Sequence, residues 1–327
     1  KVEVLRGPGS VTNGVGAIGG TVNYVPKAPT FDAPSSEIDV TAGSFGLRRV
    51  AFGSGGAVTD NVAYRFDAVN HETDGYVDRA NEKRQVAAGS LLFRPQNNLD
   101  IKFSVDYADI DAAPYWGTPL VEGSNEIDSS TRKNNYNVKD GLVEYEDIWP
   151  RVKVNWKIND VATLENDTYY LKAKRHWRNV ESYTHDKVKN EVNRSFYLEI
   201  LHDQKQVGNR SNLLLDFNIA GLNNRLSIGA EINQIDFTHT NNSPYHGSAP
   251  PVSFDDPTPG TWAESVDSPT SKDFSSDTLQ YAFFIDDVLQ INEQVSLVVG
   301  LRHDKIDYER EDFSRPNNNE PAKDTDD

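Results

Sequence analysis

A chain of 327 residues with a formal charge of −17 is a poor match for nucleic acid, which favours a concentrated basic face. It holds no cysteine, which excludes disulfides, thiolate metal ligands and cysteine nucleophiles. No stretch approaches the roughly 20 apolar residues of a membrane-spanning helix, but a spanning β-strand needs only about 10, half of them facing lipid. Low overall hydropathy is therefore compatible with a membrane barrel.

The chain has no methionine, so it reads as a fragment or a processed product. Its 14 Tyr, 14 Phe and 5 Trp, with abundant Gly and Asn, give a β-rich, turn-rich composition. The first 29 residues, KVEVLRGPGSVTNGVGAIGGTVNYVPKAP, are glycine-rich and end in a β-branched run. This predicts short strands joined by tight turns. A phosphate-binding loop is excluded, because no Lys-Ser/Thr pair and no helical pattern follow the glycines.

Beyond residue 35, alternation with a period of two dominates. Val62, Tyr64, Phe66 and Ala68 oppose Ala63, Arg65 and Asp67. Leu99, Ile101, Phe103, Val105 and Tyr107 oppose Asp100, Lys102, Ser104 and Asp106. Val152, Val154, Trp156 and Ile158 oppose Lys153, Asn155 and Lys157, and the pattern returns in 213–219, 226–232, 279–285 and 295–301. Successive strand side chains point to opposite faces, so one face is apolar and the other wet. Eleven strands are predicted, near 37–43, 47–58, 62–72, 84–95, 99–110, 146–158, 161–177, 192–219, 224–239, 276–291 and 295–309. The 192–219 segment is one strand, with a bulge expected near Gln206 to Asn209. Tyr169, Leu171 and Ala173 depart from the face of Leu164, and Asp287 interrupts that of Ile285, which predicts bulges or rim positions.

Alternation alone fits a soluble sandwich as well as a barrel. Connection lengths separate them. Short polar turns (59–61, 96–98, 159–160, 221–224, 292–294) alternate with connections that include two long ones near 112–146 and 240–275. A membrane barrel gives this pattern, with tight turns on its periplasmic rim and long loops outside.

The N-terminal stretch closely resembles the C-terminal part of the plug in TonB-dependent receptors. The resemblance rests on Val2 to Pro8 (VEVLRGP), Ala17 to Gly20, Asn23 and Lys27, and further on YWGTPL (Tyr115 to Leu120), NYNVKDG (Asn135 to Gly141) and VVGLRHD (Val298 to Asp304). These phrases look most like ferric-siderophore receptors; Asn13-Gly14 departs from the family, which usually has an aromatic before that Gly. The resemblance implies an all-β fold: the end of a plug domain over 1–34, then the N-terminal half of an antiparallel transmembrane barrel over 35–327, open at both edges. It implies a plug motif of Arg6, Gly7, Pro8, Gly14, Gly19, Gly20, Asn23 and Lys27. Arg6 is suited either to bridge plug and barrel wall or to pair within the plug.

The function implied by the resemblance is TonB-driven import of a ferric siderophore across the Gram-negative outer membrane. The partners are then TonB, through a segment upstream of Lys1, the cargo, and outer-membrane lipid with lipopolysaccharide. No catalytic residue, cofactor or protein metal site is implied. A cobalamin-like or oligosaccharide cargo is the alternative, and a soluble or surface β-sandwich binding protein a further one.

Asp286-Asp287, Asp255-Asp256, His71-Glu72 and His303-Asp304 invite a metal reading, but neighbours on a strand face opposite ways and solvated charge is the default. Tyr115, Trp116 and Trp262 in the long loops suit stacking on a planar ligand, or else loop packing or a membrane-interface girdle. Trp156 and Tyr107 read as lipid-facing. Lys172, Lys174, Arg175 and Arg178 suit an anionic complex or lipopolysaccharide phosphate, against plain solvation.

Overall fold

The computed structural model describes residues 1–7, 19–247 and 249–313. Two short strands, β1 (Val2–Arg6) and β2 (Gly20–Tyr24), pair antiparallel with each other. The main sheet then begins with β3 (Ser35–Ala42), β4 (Arg48–Thr59), β5 (Val62–Thr73), β6 (Glu82–Gln96) and β7 (Leu99–Ala112). It continues through β8 (Leu142–Lys157), β9 (Ala162–Asp186), β10 (Glu191–Ile219) and β11 (Leu222–Asn241). A two-residue strand, β12 (Val252–Ser253), pairs with β10, and β13 (Ser271–Gln290) and β14 (Ser296–Asp312) complete the sheet.

Each long strand pairs antiparallel with its neighbour in the chain, from β3 to β14, and the two end strands do not meet each other. The eleven long strands coincide with the eleven segments that alternation predicts, though several bounds shift. The tight connections at 60–61, 97–98, 158–161, 220–221 and 291–295 share one rim, and those at 43–47, 74–81, 113–141, 187–190 and 242–270 share the other. The fourth short turn lies at Ala220-Gly221 rather than 221–224, since β11 already starts at Leu222. The 187–190 connection is itself tight: β9 runs on to Asp186, well past the expected end at 177.

The two faces follow the predicted alternation. Phe66, Leu91, Phe103, Val105, Val152, Tyr170 and Val207 form one continuous apolar surface across six strands, and Leu301 on β14 is 70% exposed. Nothing among the described residues covers this face, so a two-sheet sandwich is excluded. Above it the same face turns polar along one line, at Asn70, Gln85, Asp109, Glu146, Lys174 and Asp203. The apolar belt thus has a defined upper edge, as hydrocarbon followed by headgroups requires. Trp156 and Tyr107 lie within the belt, as expected.

The opposite face is charged. Arg151 donates to Asp106 at 2.7 Å, Lys153 to Asp167 at 2.8 Å, and Arg94 grips Asp100 at 2.6 and 2.9 Å. Arg302 sits between Asp304 at 2.9 Å and Glu231 at 3.3 Å. This is the face that a barrel turns to its aqueous lumen.

The irregularities fall elsewhere than predicted. β10 pairs with β11 without a break from Ile200 to Ile219, so the expected bulge at Gln206 to Asn209 is absent. Gly208 is there for space: a Cβ on it would lie 2.4 Å from the ring of Tyr169. The break in β10 is at Phe196, which has φ 58° and drops out of the pairing with β9. Tyr169, Leu171 and Ala173 need no bulge, because their register is continuous and they simply belong to the lumen face. Asp287 is a rim position, accepting a hydrogen bond from Asn224 at 2.8 Å.

One polar island interrupts the apolar belt. Asn166 and Thr168 on β9 stand opposite Ser211 and Asn209 on β10. Asn166 donates to Asn209 at 3.2 Å and to Ser211 at 2.8 Å; Asn209 donates back to Asn166 at 3.3 Å and to Thr168 at 2.6 Å. The four groups satisfy one another, which offsets the cost of placing them in hydrocarbon. Asn209→Leu alone is expected to lower stability by about 1–3 kcal/mol by orphaning its partners, whereas apolar residues at all four positions should recover most of that loss. Denaturant titration of the full-length protein in lipid vesicles reads both.

Candidate functional site

The motif residues shape the short N-terminal sheet and its connection to the wall. Arg6 closes β1 opposite Gly20, and the Gly7 N–H donates to the Gly19 carbonyl at 3.2 Å. Gly20 has φ +146°, and a Cβ there would come within 2.5 Å of the Leu5 carbonyl oxygen; only glycine fits so close to the partner strand. Asn23 donates to Glu3 across the pair at 3.3 Å. Pro8 and Gly14 lie outside the described residues.

From β2 the chain runs along the charged face. Lys27 pairs with Glu37 on β3 and lies 3.9 Å from Asp67 on β5, while Arg65 bridges the same two carboxylates. Further on, the ring of Phe31 lies under Arg94 at 4.5 Å, and the Asp32 carbonyl accepts from the Ala57 N–H at 2.9 Å. Among the described residues, Lys27 makes a bridge to the wall.

Higher on the lumen face lies an aromatic and imidazole ladder that the alternation pattern does not announce. The edge of Trp177 meets His202 at 4.9 Å, His202 hydrogen-bonds to His239 at 2.8 Å, and His239 stacks on Phe274 at 5.1 Å. Phe237 joins through His202 at 4.8 Å. Arg310 caps Phe274 at 3.9 Å while paired with Asp312. The available signal is positional: these residues occupy the face that Tyr169 starts, beyond the point where the apolar pattern ends.

The long loops carry their own core. Tyr136, Val192, Val252 and Phe254 form one buried cluster, and Val138, Val180, Tyr197 and Trp262 another. The NYNVKDG segment is the hub. The Asn137 side chain accepts from the Val180 N–H at 2.9 Å and donates to its carbonyl at 3.3 Å, as a neighbouring strand would. Tyr136 donates to the Phe254 carbonyl at 2.6 Å, and Asp140 accepts from the Trp262 N–H at 2.6 Å. Asn242, just past the end of β11, continues the pairing along β10, accepting from the Glu199 N–H at 2.8 Å and donating to the Tyr197 carbonyl at 3.0 Å. Amide side chains here replace the missing ladder bonds, which satisfies backbone that would otherwise be buried unpaired.

This organisation separates the three loop aromatics. Trp262 is only 6% exposed and is taken up in packing against Tyr197, beneath Arg178. Tyr115 and Trp116 are exposed, and the Tyr115 hydroxyl lies 3.1 Å from that of Thr118. The basic group is split as well. Lys172 and Lys174 are on the outer face, while Arg175 points inward to grip Asp147 at 2.6 and 2.9 Å. Arg178 donates to the Asp140 carbonyl at 2.8 Å.

Residues 73–327 match the family described as TonB dependent receptor-like, beta-barrel. The chain belongs to this family. Among its relatives, the probable TonB-dependent siderophore receptor PiuA of Acinetobacter baumannii is 23% identical over 95% of this chain and 45% of its own length. The ferrioxamine receptor of Yersinia enterocolitica is 26% identical over 38% of this chain and 17% of its own length. The crystal structure of the siderophore receptor PiuA from Acinetobacter baumannii superposes with a TM-score of 0.85 at 19% identity, covering 97% of this chain and 48% of that one. The chain therefore spans about half the length of these full-coverage relatives, and its open sheet has the barrel fold of the family.

Proposed function

We propose that this chain is the end of the plug (residues 1–34) and the first half of the barrel (35–327) of a receptor that imports a ferric siderophore across the Gram-negative outer membrane. TonB supplies the work through a plug segment upstream of Lys1. The observation that carries this reading is the correspondence over nearly the whole chain with proteins named as siderophore receptors. It is supported by a sheet with one apolar face for lipid and one charged face along which the segment after the plug-like strands runs. Siderophore names among the relatives favour this cargo over a cobalamin-like compound or an oligosaccharide.

The chemistry asked of the protein is binding and gating rather than bond-making. A wide polar lumen leaks unless it is filled, so the plug must be held by contacts that can also be released. Lys27, shared between Glu37 and Asp67 near the surface, is such a contact, because exposed ion pairs are each worth about 0–1 kcal/mol. Arg6 has the donor fork for a second contact with a wall carboxylate, and Gly7, Gly19, Gly20 and Asn23 shape the strand pair that presents it. At the mouth, Tyr115 and Trp116 offer exposed rings for the cargo; Trp262 supports the loop beneath. Lys172 and Lys205, at the upper edge of the belt, meet lipopolysaccharide phosphates.

The test is growth. A strain lacking the full-length gene should fail to use a ferric siderophore as its sole iron source, and should recover with the gene restored only while the inner membrane is energised. Normal growth of the deletion strain on a panel of ferric siderophores, with loss of growth on another large nutrient, would reassign the cargo.

A further inference from the structure

On the later strands the apolar belt ends at a row of charged side chains, each directly opposite the next across neighbouring strands. The row runs from Lys172 on β9 through Lys205 on β10, Asp236 on β11 and Asp277 on β13 to Glu309 on β14. Like charges directly opposite each other in a sheet are destabilising, yet here a Lys-Lys pair is followed by an Asp-Asp-Glu run. Only the central neighbours, Lys205 and Asp236, differ in sign. Among the described residues none of the five forms a salt bridge; Asp277 instead accepts from the Gln234 amide at 3.3 Å.

Lipid alone does not suit such a row. Lipopolysaccharide phosphates satisfy the lysine half but are repelled by the carboxylate half beside it. A second copy of the chain carries both halves, and a twofold axis along the membrane normal between β10 and β11 presents them in reverse order. Lys205 of each copy then comes against Asp236 of the other, and the long stem of Lys172 reaches towards Asp277. A separate feature on the same strands also suits protein rather than hydrocarbon. The polar island of Asn166, Thr168, Asn209 and Ser211 lies in the belt two residue pairs below the lysines, and polar groups at membrane depth are the ones that join membrane segments to each other. On the acidic side of the axis Ile232 and Phe283, 44% and 66% exposed, supply apolar surface at the level of the island.

We infer that the outer face of β9, β10, β11 and β13 is the interface of a twofold homodimer in the membrane, joined along its upper edge by reciprocal lysine–carboxylate pairs. In a lone receptor the lysines meet lipopolysaccharide; in the dimer the carboxylates of the other copy take that place. The inference rests on the lipid-facing assignment of this wall and is independent of the cargo.

Full-length receptor whose only cysteine replaces Val207, beside the axis, or Phe103, equally exposed to lipid but on β7, is treated in the outer membrane with a short bismaleimide. Val207→Cys is expected to give at least about fivefold more crosslinked dimer than Phe103→Cys, because the interface presents only the first to its symmetry mate. Two charge-reversed receptors follow, one with Lys172→Glu and Lys205→Glu, the other with Asp236→Lys and Asp277→Lys. Each alone should lose about tenfold of the dimer, since like charges then meet across the axis. Co-expressed with different tags, the two should copurify and recover the crosslink. Heat-modified mobility on gels checks that each is folded. Where a reversal fails to fold, Lys172→Gln with Lys205→Gln takes its place and should lower the crosslinked fraction by about threefold; an unchanged fraction would overturn the inference. Equal crosslinking at positions 207 and 103 would mark random encounter and overturn it, as would a mixed pair of folded reversals that does not recover. A wild-type dimer that vanishes in phosphatidylcholine vesicles free of lipopolysaccharide would assign the contact to bridging lipid and also overturn it.

Discussion

Val105→Arg is expected to destabilise the folded receptor by about 2–4 kcal/mol in a phospholipid bilayer, the cost of an arginine on the lipid face near the midplane. Val105 lies on β7 between Phe103 and Tyr107 and is flanked by Gly89 and Pro150 on the neighbouring strands. No acidic side chain is in that row to receive the guanidinium. One residue away, Ser104 faces the wet side opposite Arg151, and Ser104→Glu should change stability by less than about 1 kcal/mol. Urea unfolding of the full-length receptor in vesicles, followed by its heat-modified mobility on gels, compares the two. Equal effects from adjacent residues would mean that the two faces do not meet different solvents.

Arg302→Met is expected to cost about 3–5 kcal/mol, the penalty for breaking a buried charge network from one side. The Arg302 side chain is 5% exposed, shares its guanidinium between Asp304 and Glu231, and lies 5.6 Å from the ring of Phe284. Methionine fills the space but leaves two carboxylates facing each other in a poorly solvated part of the wall. Adding Asp304→Asn to Arg302→Met should return at least half of the lost stability, since the neighbouring sites are coupled. A double variant as unstable as the sum of its parts would show that packing on Phe284, not charge, is what Arg302 supplies.

Legibility in the sequence tracks the environment. Where a strand separates hydrocarbon from water, every second residue must be apolar; Leu99 to Tyr107 therefore announces both a strand and its faces. Above Tyr170 both faces of β9 are wet, and Lys172, Ala173, Lys174, Arg175 and His176 carry no such contrast. The strand continues to Asp186 all the same, and the imidazole and aromatic ladder stands on that unread portion. Gly208 invites a bulge because glycine in a strand often marks one, yet its role is to admit the ring of Tyr169. Trp262 reads as a loop aromatic open to ligand, because its neighbours Val138 and Tyr197 come from distant parts of the chain. The NYNVKDG phrase points to a family, but its work, amide side chains standing in for strand bonds at Val180, becomes visible only in three dimensions. Likewise the contact with the wall falls to Lys27, whose partners Glu37 and Asp67 are brought together by the pairing of β3, β4 and β5.

The chain contains no cysteine, so single cysteines introduced at positions 100 to 107 of the full-length receptor can carry nitroxide labels without background. In a lipid bilayer, relaxation by oxygen, which concentrates in hydrocarbon, should peak at 101, 103, 105 and 107. Relaxation by a water-soluble nickel complex should instead peak at 100, 102, 104 and 106. Loss of that period of two, or exclusion of both reagents from the odd positions, would show that the apolar face packs against protein and would contradict the membrane barrel.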